Sequence, residues 1–336
     1  MAQLIKKTIE MLLPISKKKE GIALLIVLVI VALLVAVVVE FNRIAIADID
    51  TSKNFGDSQK ILYIGISGVH AIQEILYLEG VYTPSDNLQE EWANSETYFK
   101  AATALMDEGE VKGSISDEES RININALVGG DGNFNPEQLA IWKRLLSNPR
   151  FSLSEEDIDI IIYGIKDWID ADDEVSGIYG AEEAFYQGMG YHCKNGPMNG
   201  VEEMLLVKGI TPEIFYGNRH RDGIGQYFTV YGKGRININT APIPVLMALS
   251  DQMSEDIALE MDNFRRDPVN RADLANKLWY KKVWPFEKSL PDDLLTISSR
   301  FFSVRIHVSL GESRKEIAAI VSRSENGSRI LLWREL

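Results

Sequence analysis

Eighteen consecutive apolar residues, Ile22 to Val39, stand near the start of this 336-residue chain and close on Glu40. As a helix rising 1.5 Å per residue, such a run is roughly 27 Å long, close to the ~30 Å hydrocarbon layer of a bilayer. Lys6, Lys7, Lys17, Lys18 and Lys19 precede it, whereas Glu40, Asp48 and Asp50 follow it with only Arg43 between. Positive charge stays on the cytoplasmic side, so the pattern predicts an inside N-terminus and about 295 exported residues. A cleaved secretory signal is the competing reading, since Ala45-Ile46-Ala47 has the small-x-small spacing of a cleavage site. Against it, the apolar run exceeds the roughly 7–15 residues usual for a signal.

The run begins directly after Gly21, behind Lys17-Lys18-Lys19-Glu20. A basic leader ending in Gly against a spanning helix is the arrangement a prepilin-type peptidase reads. Such a cut, between Gly21 and Ile22, lies on the cytoplasmic side and leaves the anchor intact. Beyond Glu40 a helical rhythm continues through Ile44, Ile49, Ile61, Ile64, Val69, Ile72, Ile75, Leu76 and Tyr77, interrupted by the polar stretch 50–59. That spacing predicts a helix leaving the membrane and turning amphipathic. A linker with Pro84, Ser85, Asp86 and Asn87 follows, then Trp92, expected to anchor a core.

Residues 111–116 and 121–125 are expected as two short strands around a turn at 117–120. The second, Arg-Ile-Asn-Ile-Asn, returns at 235–239, each copy setting two Asn opposite two Ile and leading into a helical segment. Asn239 or Thr240 is positioned to cap the helix that follows, with Pro242 in its first turn. Helices are predicted at 136–146, 155–169, 201–207 and 211–215. Phe302–Leu310 alternates with period two, as do 317–323 and 330–333, with Gly311 and Asn326-Gly327 at the turns. This predicts a three-stranded antiparallel meander, joined by the 111–125 strands, with the helical stretch inserted between them.

Chemistry is sparse. Hydrophobic residues make up 46% and charged residues 25%, which excludes a disordered chain. Thirty-five Lys and Arg against 49 Asp and Glu give a net charge of −14, which repels phosphate backbones. The single Cys193 excludes internal disulfides and Cys-rich zinc sites. There is no Gly-rich phosphate loop, HExxH motif or nucleophile elbow. His192 beside Cys193 lacks an orienting partner and is read as an incidental loop pair, so no catalytic residue is assigned. The segments 205–210 and 241–266 echo helix-hairpin-helix modules, but acidic residues stand where a phosphate would sit.

The densest feature runs from Glu155 to Glu183, with eleven carboxylates against Lys166 alone. A helix running into an acidic loop supplies the oxygens that Ca²⁺ requires, and Asp170, Asp172, Asp173, Glu174, Glu182 and Glu183 are the candidate ligands. An EF-hand is excluded, because counting from Asp170 puts Val175 at the Gly position and Ala181 at the Glu position. The competing reading is a solvated acidic loop. Packing so many like charges at a helix C-terminus, already negative, is nonetheless costly without a cation.

Taken together, the chain resembles the minor pseudopilin K family of type II secretion systems (general secretion pathway protein K). The matching segments are Gly21-Ile22-Ala23-Leu24-Leu25, SISDEESRININAL (Ser114–Leu127), DWIDADDE (Asp167–Glu174), residues 180–186, NGPMNGVEEMLLVKGITPE (Asn195–Glu213), RININTAPIPVLMAL (Arg235–Leu249) and Leu332-Trp333-Arg334. The resemblance implies an α/β pseudopilin fold: an N-terminal transmembrane helix and small antiparallel sheet, with a large all-α insertion (SAM-like, helix-hairpin-helix-like) between strands. The implied division is a leader (1–21), the N-terminal helix (22–80), the first part of the α/β domain (81–125), a first SAM-like insertion with the calcium loop (126–234), a second SAM-like segment (235–295) and the C-terminal strands (296–336). It further implies processing and N-methylation by the prepilin peptidase, inner-membrane anchoring with a periplasmic head, Ca²⁺ binding in the Asp170–Glu183 region, and assembly with minor pseudopilins I and J at a pseudopilus tip. Pilin-like subunits place Glu at the fifth mature residue, where it meets a neighbour's ammonium; here that residue is Ile26. Loss of the Glu fits a subunit with nothing ahead of it, although Ile26 also reads as one more membrane residue. The second class is a membrane-tethered helix-hairpin-helix DNA receptor, which the charge of −14 opposes.

Overall fold

The computed structural model describes residues 16–284 and 290–336, with side chains from Ile22 onward, so most of the expected leader lies outside the described residues. Helix α1 (Ser16–Tyr82) is continuous through the polar stretch 50–59. The chain divides at Lys60/Ile61 into two units. In the first, Ile22 to Val39 are all exposed, and α1 is the one helix among the described residues long and apolar enough to cross a membrane.

The second unit, Ile61–Leu336, contains a four-stranded antiparallel sheet in the order β1 (Glu110–Asp117), β6 (Phe301–Leu310), β7 (Ser313–Ser324) and β8 (Gly327–Glu335). Tight turns at Gly311-Glu312 and Glu325-Asn326 join the last three strands, and a bulge at Leu331 shifts the β7–β8 register. The expected meander is present. Phe302, Val304, Ile306 and Val308 alternate inward and pack with Ile61, Val69, Ile72 and Leu76 of α1. Trp92 fills the same core, edge-on to Phe302 with ring centroids 5.2 Å apart. Gly65 and Gly68 let α1 approach the sheet, since a Cβ on Gly65 would lie 1.8 Å from Ile317 Cδ1.

Between β1 and β6 the chain builds a second core. Helix α2 (Glu96–Ala104) precedes β1, and the inserted stretch carries α3 (Pro136–Leu146), α4 (Glu155–Ile169), α5 (Glu183–Gln187), α6 (Pro212–Tyr216), α7 (Ile243–Ala248) and α8 (Glu255–Arg266). Asn135 caps α3 ahead of Pro136, and Ser154 with Asp157 forms a reciprocal capping box on α4. Ile158, Ile161, Ile162, Ile165 and Trp168 then form one buried face of α4.

Three expectations need correction. The strand after the 117–120 turn does not join the main sheet. A 3₁₀ turn at Glu118–Ser120 redirects the chain, and β2 (Ile122–Asn123) pairs in parallel with β3 (Phe228–Thr229). The second repeat does the same, β4 (Ile236–Asn237) pairing with β5 (Leu295–Thr296), so the insertion is not purely helical. In both copies the first Asn accepts from the backbone N–H two residues on, a local turn that ends the strand. Finally, neither Asn239 nor Thr240 caps α7. Asn239 accepts from Trp279 Nε1 at 2.7 Å, and the Thr240 hydroxyl donates to Asp117 Oδ2 at 2.5 Å.

Those contacts belong to a buried polar knot at the meeting point of the two cores. Asp117 Oδ2 also accepts from Ser299 Oγ (2.6 Å) and Asn237 Nδ2 (3.1 Å). Arg323 donates to Asp86 Oδ2 (2.5 Å), to the Ser299 carbonyl (2.7 Å) and to the Leu76 carbonyl of α1 (3.0 Å).

Two outcomes are expected. Gly65→Val should destabilise the folded protein by about 1–3 kcal/mol through overpacking, whereas Gly56→Ala, with nothing within 4 Å, should be neutral or stabilising by thermal melts. Burial pushes Asp117 up to about 7 from 3.8, so the folded protein keeps a proton that the unfolded chain loses near pH 4. The stability this proton carries is full below about pH 4 and is lost as pH rises through about 7. Asp117→Asn should therefore flatten part of the fall in melting temperature between about pH 5 and 7.5, leaving the slope due to Glu79 and Glu182, both also pushed up to about 7 by burial.

Candidate functional site

Helix α4 delivers the acidic loop. Its last turn holds Lys166 and Asp167, and Asp170 caps its C-terminus in an extended conformation, its N–H bonded to the Lys166 carbonyl. Asp167 is fully buried and folds the loop back, accepting the Ser176 N–H at 3.1–3.2 Å. Gly180 is required where the loop crosses this carboxylate, since a Cβ there would stand 2.1 Å from Asp167 Oδ2. From outside, Lys208 Nζ ties down the Tyr179 and Gly180 carbonyls at 3.0 and 3.1 Å.

The fold brings Asp170, Asp172 and Glu182 together, with one carboxylate oxygen of each within 4.8 Å of the others. Asp170 and Glu182 are each only 3% exposed. Asp170 Oδ2 takes Lys166 Nζ at 2.6 Å, while its Oδ1 and both oxygens of Glu182 have no hydrogen-bond partner. Desolvation, then the Asp167 charge, pushes Glu182 up to about 7, while the nearby Cys193 thiol pulls the other way. Burial likewise raises Asp170 against the pull of Lys166. Orphaned carboxylate oxygens out of water are costly unless something cationic meets them. Three carboxylates with spare lone pairs and open solvent at Asp172 form a hard-oxygen donor set of the kind a divalent cation such as Ca²⁺ takes.

The other candidates stand apart. Asp173 accepts from Asn195 Nδ2 at 2.7 Å, and Glu174 is exposed. Glu183 accepts from Gln187 and the Cys193 N–H and faces His192 Nδ1 at 2.5 Å. These partners, His192 first, hold its carboxyl down at about 2, so Glu183 clamps the following loop. Burial pushes the Cys193 thiol up to about 12, an unreactive state that agrees with its reading as an incidental neighbour of His192. Ser176 and Lys208 were not singled out in the sequence, because their roles arise from contacts 9 to 29 residues away. The loop at 249–254 between α7 and α8 places Asp251 on Arg144 at 2.6 Å, leaving a carboxylate where a DNA phosphate would need donors.

Residues 120–217 match the family model described as Type II secretion system (T2SS), protein K. The chain is 21% identical over 348 residues to a Type II secretion system protein K of Aeromonas hydrophila, covering 96% of this chain and 98% of that one. It is 26% identical over 333 residues to the protein of the same name from Pseudomonas aeruginosa, covering 95% and 93%. Among solved structures it is similar to a chain in the crystal structure of the GspK-GspI-GspJ complex from the enterotoxigenic Escherichia coli type 2 secretion system. That match has a TM-score of 0.66 and 19% identity, covers 85% of this chain and 99% of that chain, and speaks for the fold. A family model on the acidic-loop region and end-to-end relatives of one name agree with this architecture: over nearly its whole length the chain is similar to type II secretion system protein K.

Proposed function

We propose that the chain is the minor pseudopilin that caps and starts a type II pseudopilus, anchored once in the inner membrane with its N-terminus cytoplasmic and its head periplasmic. The observation that carries this reading is the double use of α1. Its first part is a fully exposed apolar stretch, and its later turns are built into the core of a small antiparallel sheet. Apolar helices of neighbouring subunits pack side by side in such a filament, while the bulk inserted between β1 and β6 obstructs a further subunit above. Ile26 in place of a membrane carboxylate fits a subunit with no ammonium ahead of it. The role is assembly rather than catalysis, with the helix-hairpin-helix-like segments 205–210 and 241–266 acting as packing units. Minor pseudopilins I and J are the partners, and the prepilin peptidase cuts between Gly21 and Ile22. The DNA-receptor alternative has no support in the charge or in Asp251.

Asp170, Asp172 and Glu182 are proposed to hold Ca²⁺. The ion supplies the positive charge that lets these desolvated carboxylates remain ionised.

Calcium is expected to raise the melting temperature of the detergent-solubilised chain, and Asp170→Asn with Glu182→Gln should remove that rise. A rise that persists in the double variant would assign the ion elsewhere. Co-expression with the two small pilin-like partners should yield a three-component complex by size exclusion. Elution of this chain apart from both would sink the tip assignment.

A further inference from the structure

We infer that the Lys166 ammonium is a tethered rival for the cation at Asp170, Asp172 and Glu182, and that it sets both the affinity of this site and its preference for divalent ions. The inference rests on the calcium reading above. Lys166 stands one helical turn before Asp170 on α4, so the helix itself fixes its reach. Its Nζ lies 2.6 Å from Asp170 Oδ2 and 2.7 Å from Ser176 Oγ, bridging one ligand of the proposed site and the loop that carries the others. The side chain is largely buried, so solvent screens its charge weakly.

Other charged groups nearby are already engaged. Asp167 is held by the Ser176 N–H, Asp173 by Asn195, and Lys208 by the Tyr179 and Gly180 carbonyls. An arriving ion therefore meets three carboxylates less one ammonium, a local balance of two negative charges, with the hydrogen-bonded but still anionic Asp167 adding to the field behind them. A monovalent ion brings no more charge than Lys166 already supplies, whereas a divalent ion offsets the two charges left on the three carboxylates. An ammonium shifted from Asp170 has a resting place, since Nζ already lies 5.9 Å from the centroid of the Phe134 ring.

Isothermal titration of the full chain in detergent with calcium chloride, and separately with terbium chloride, tests this. Lys166→Met and Lys166→Gln should each bind calcium about tenfold more tightly than the wild type, with a larger gain for the trivalent ion. Lys166→Arg should behave as the wild type. Should the Met variant not fold, the Gln variant, which keeps a donor toward Asp170, carries the comparison. Neutral variants that bind calcium as weakly as the wild type, or more weakly, would overturn the rivalry and leave the calcium site standing. A wild type that binds no calcium at millimolar concentration would overturn the calcium reading itself.

Discussion

The Arg323–Asp86 ion pair, with Asp117 beside it, is the contact on which the second unit turns. It gathers the last turns of α1, the linker after it, the end of β1, the second Asn-rich repeat, the start of β6 and the end of β7. A buried pair of this kind adds little net stability compared with apolar residues, but removing one partner strands a charge at a cost of about 3–5 kcal/mol. Its value lies in register. Each donor and acceptor is matched in only one arrangement, so the sheet core and the helical core meet in one way.

The two Asn-rich repeats show how a short sequence is used twice. Each makes a two-residue parallel pairing, ends it with an Asx turn, and spends its remaining amide nitrogens on distant carbonyls. Asn123 reaches Tyr231 and Gly232, Asn125 reaches Met198, and Asn239 reaches Leu274. Such side chains are buried because they replace the backbone pairing that irregular segments lack. The same logic operates in the acidic loop, where Asp167 serves the backbone while Asp170, Asp172 and Glu182 stand gathered beside it.

Much of this was legible in the residues. The apolar run, the period-two strands after Phe301 and the isoleucine face of α4 all carry their pattern locally, so periodicity finds them. The pairing partners of Ile122 and Ile236 do not, because two-residue strands leave no periodicity and their partners lie 59 to 106 residues away. In the acidic stretch, composition marked where the carboxylates gather but not the division of labour among them. Glu182 and Glu183 are adjacent and chemically alike. One is buried without partners and the other is clamped by His192, a difference created by the start of α5 and invisible in a count of carboxylates.

The chain leaves the sheet at Asp117 and returns at Phe301, and in the β1–β6 ladder Asp117 sits opposite Phe302. The departing and returning ends are thus neighbours on one rung, so the insertion enters and leaves at one point, where Asn237 and Thr240 tie it to Asp117. Loop-closure entropy grows only slowly with length, which makes a graft of almost any size thermodynamically tolerable at such a point. A lineage can therefore enlarge or trim the parts of this cargo remote from Asn237 and Thr240 while the sheet beneath still zips up as an ordinary hairpin.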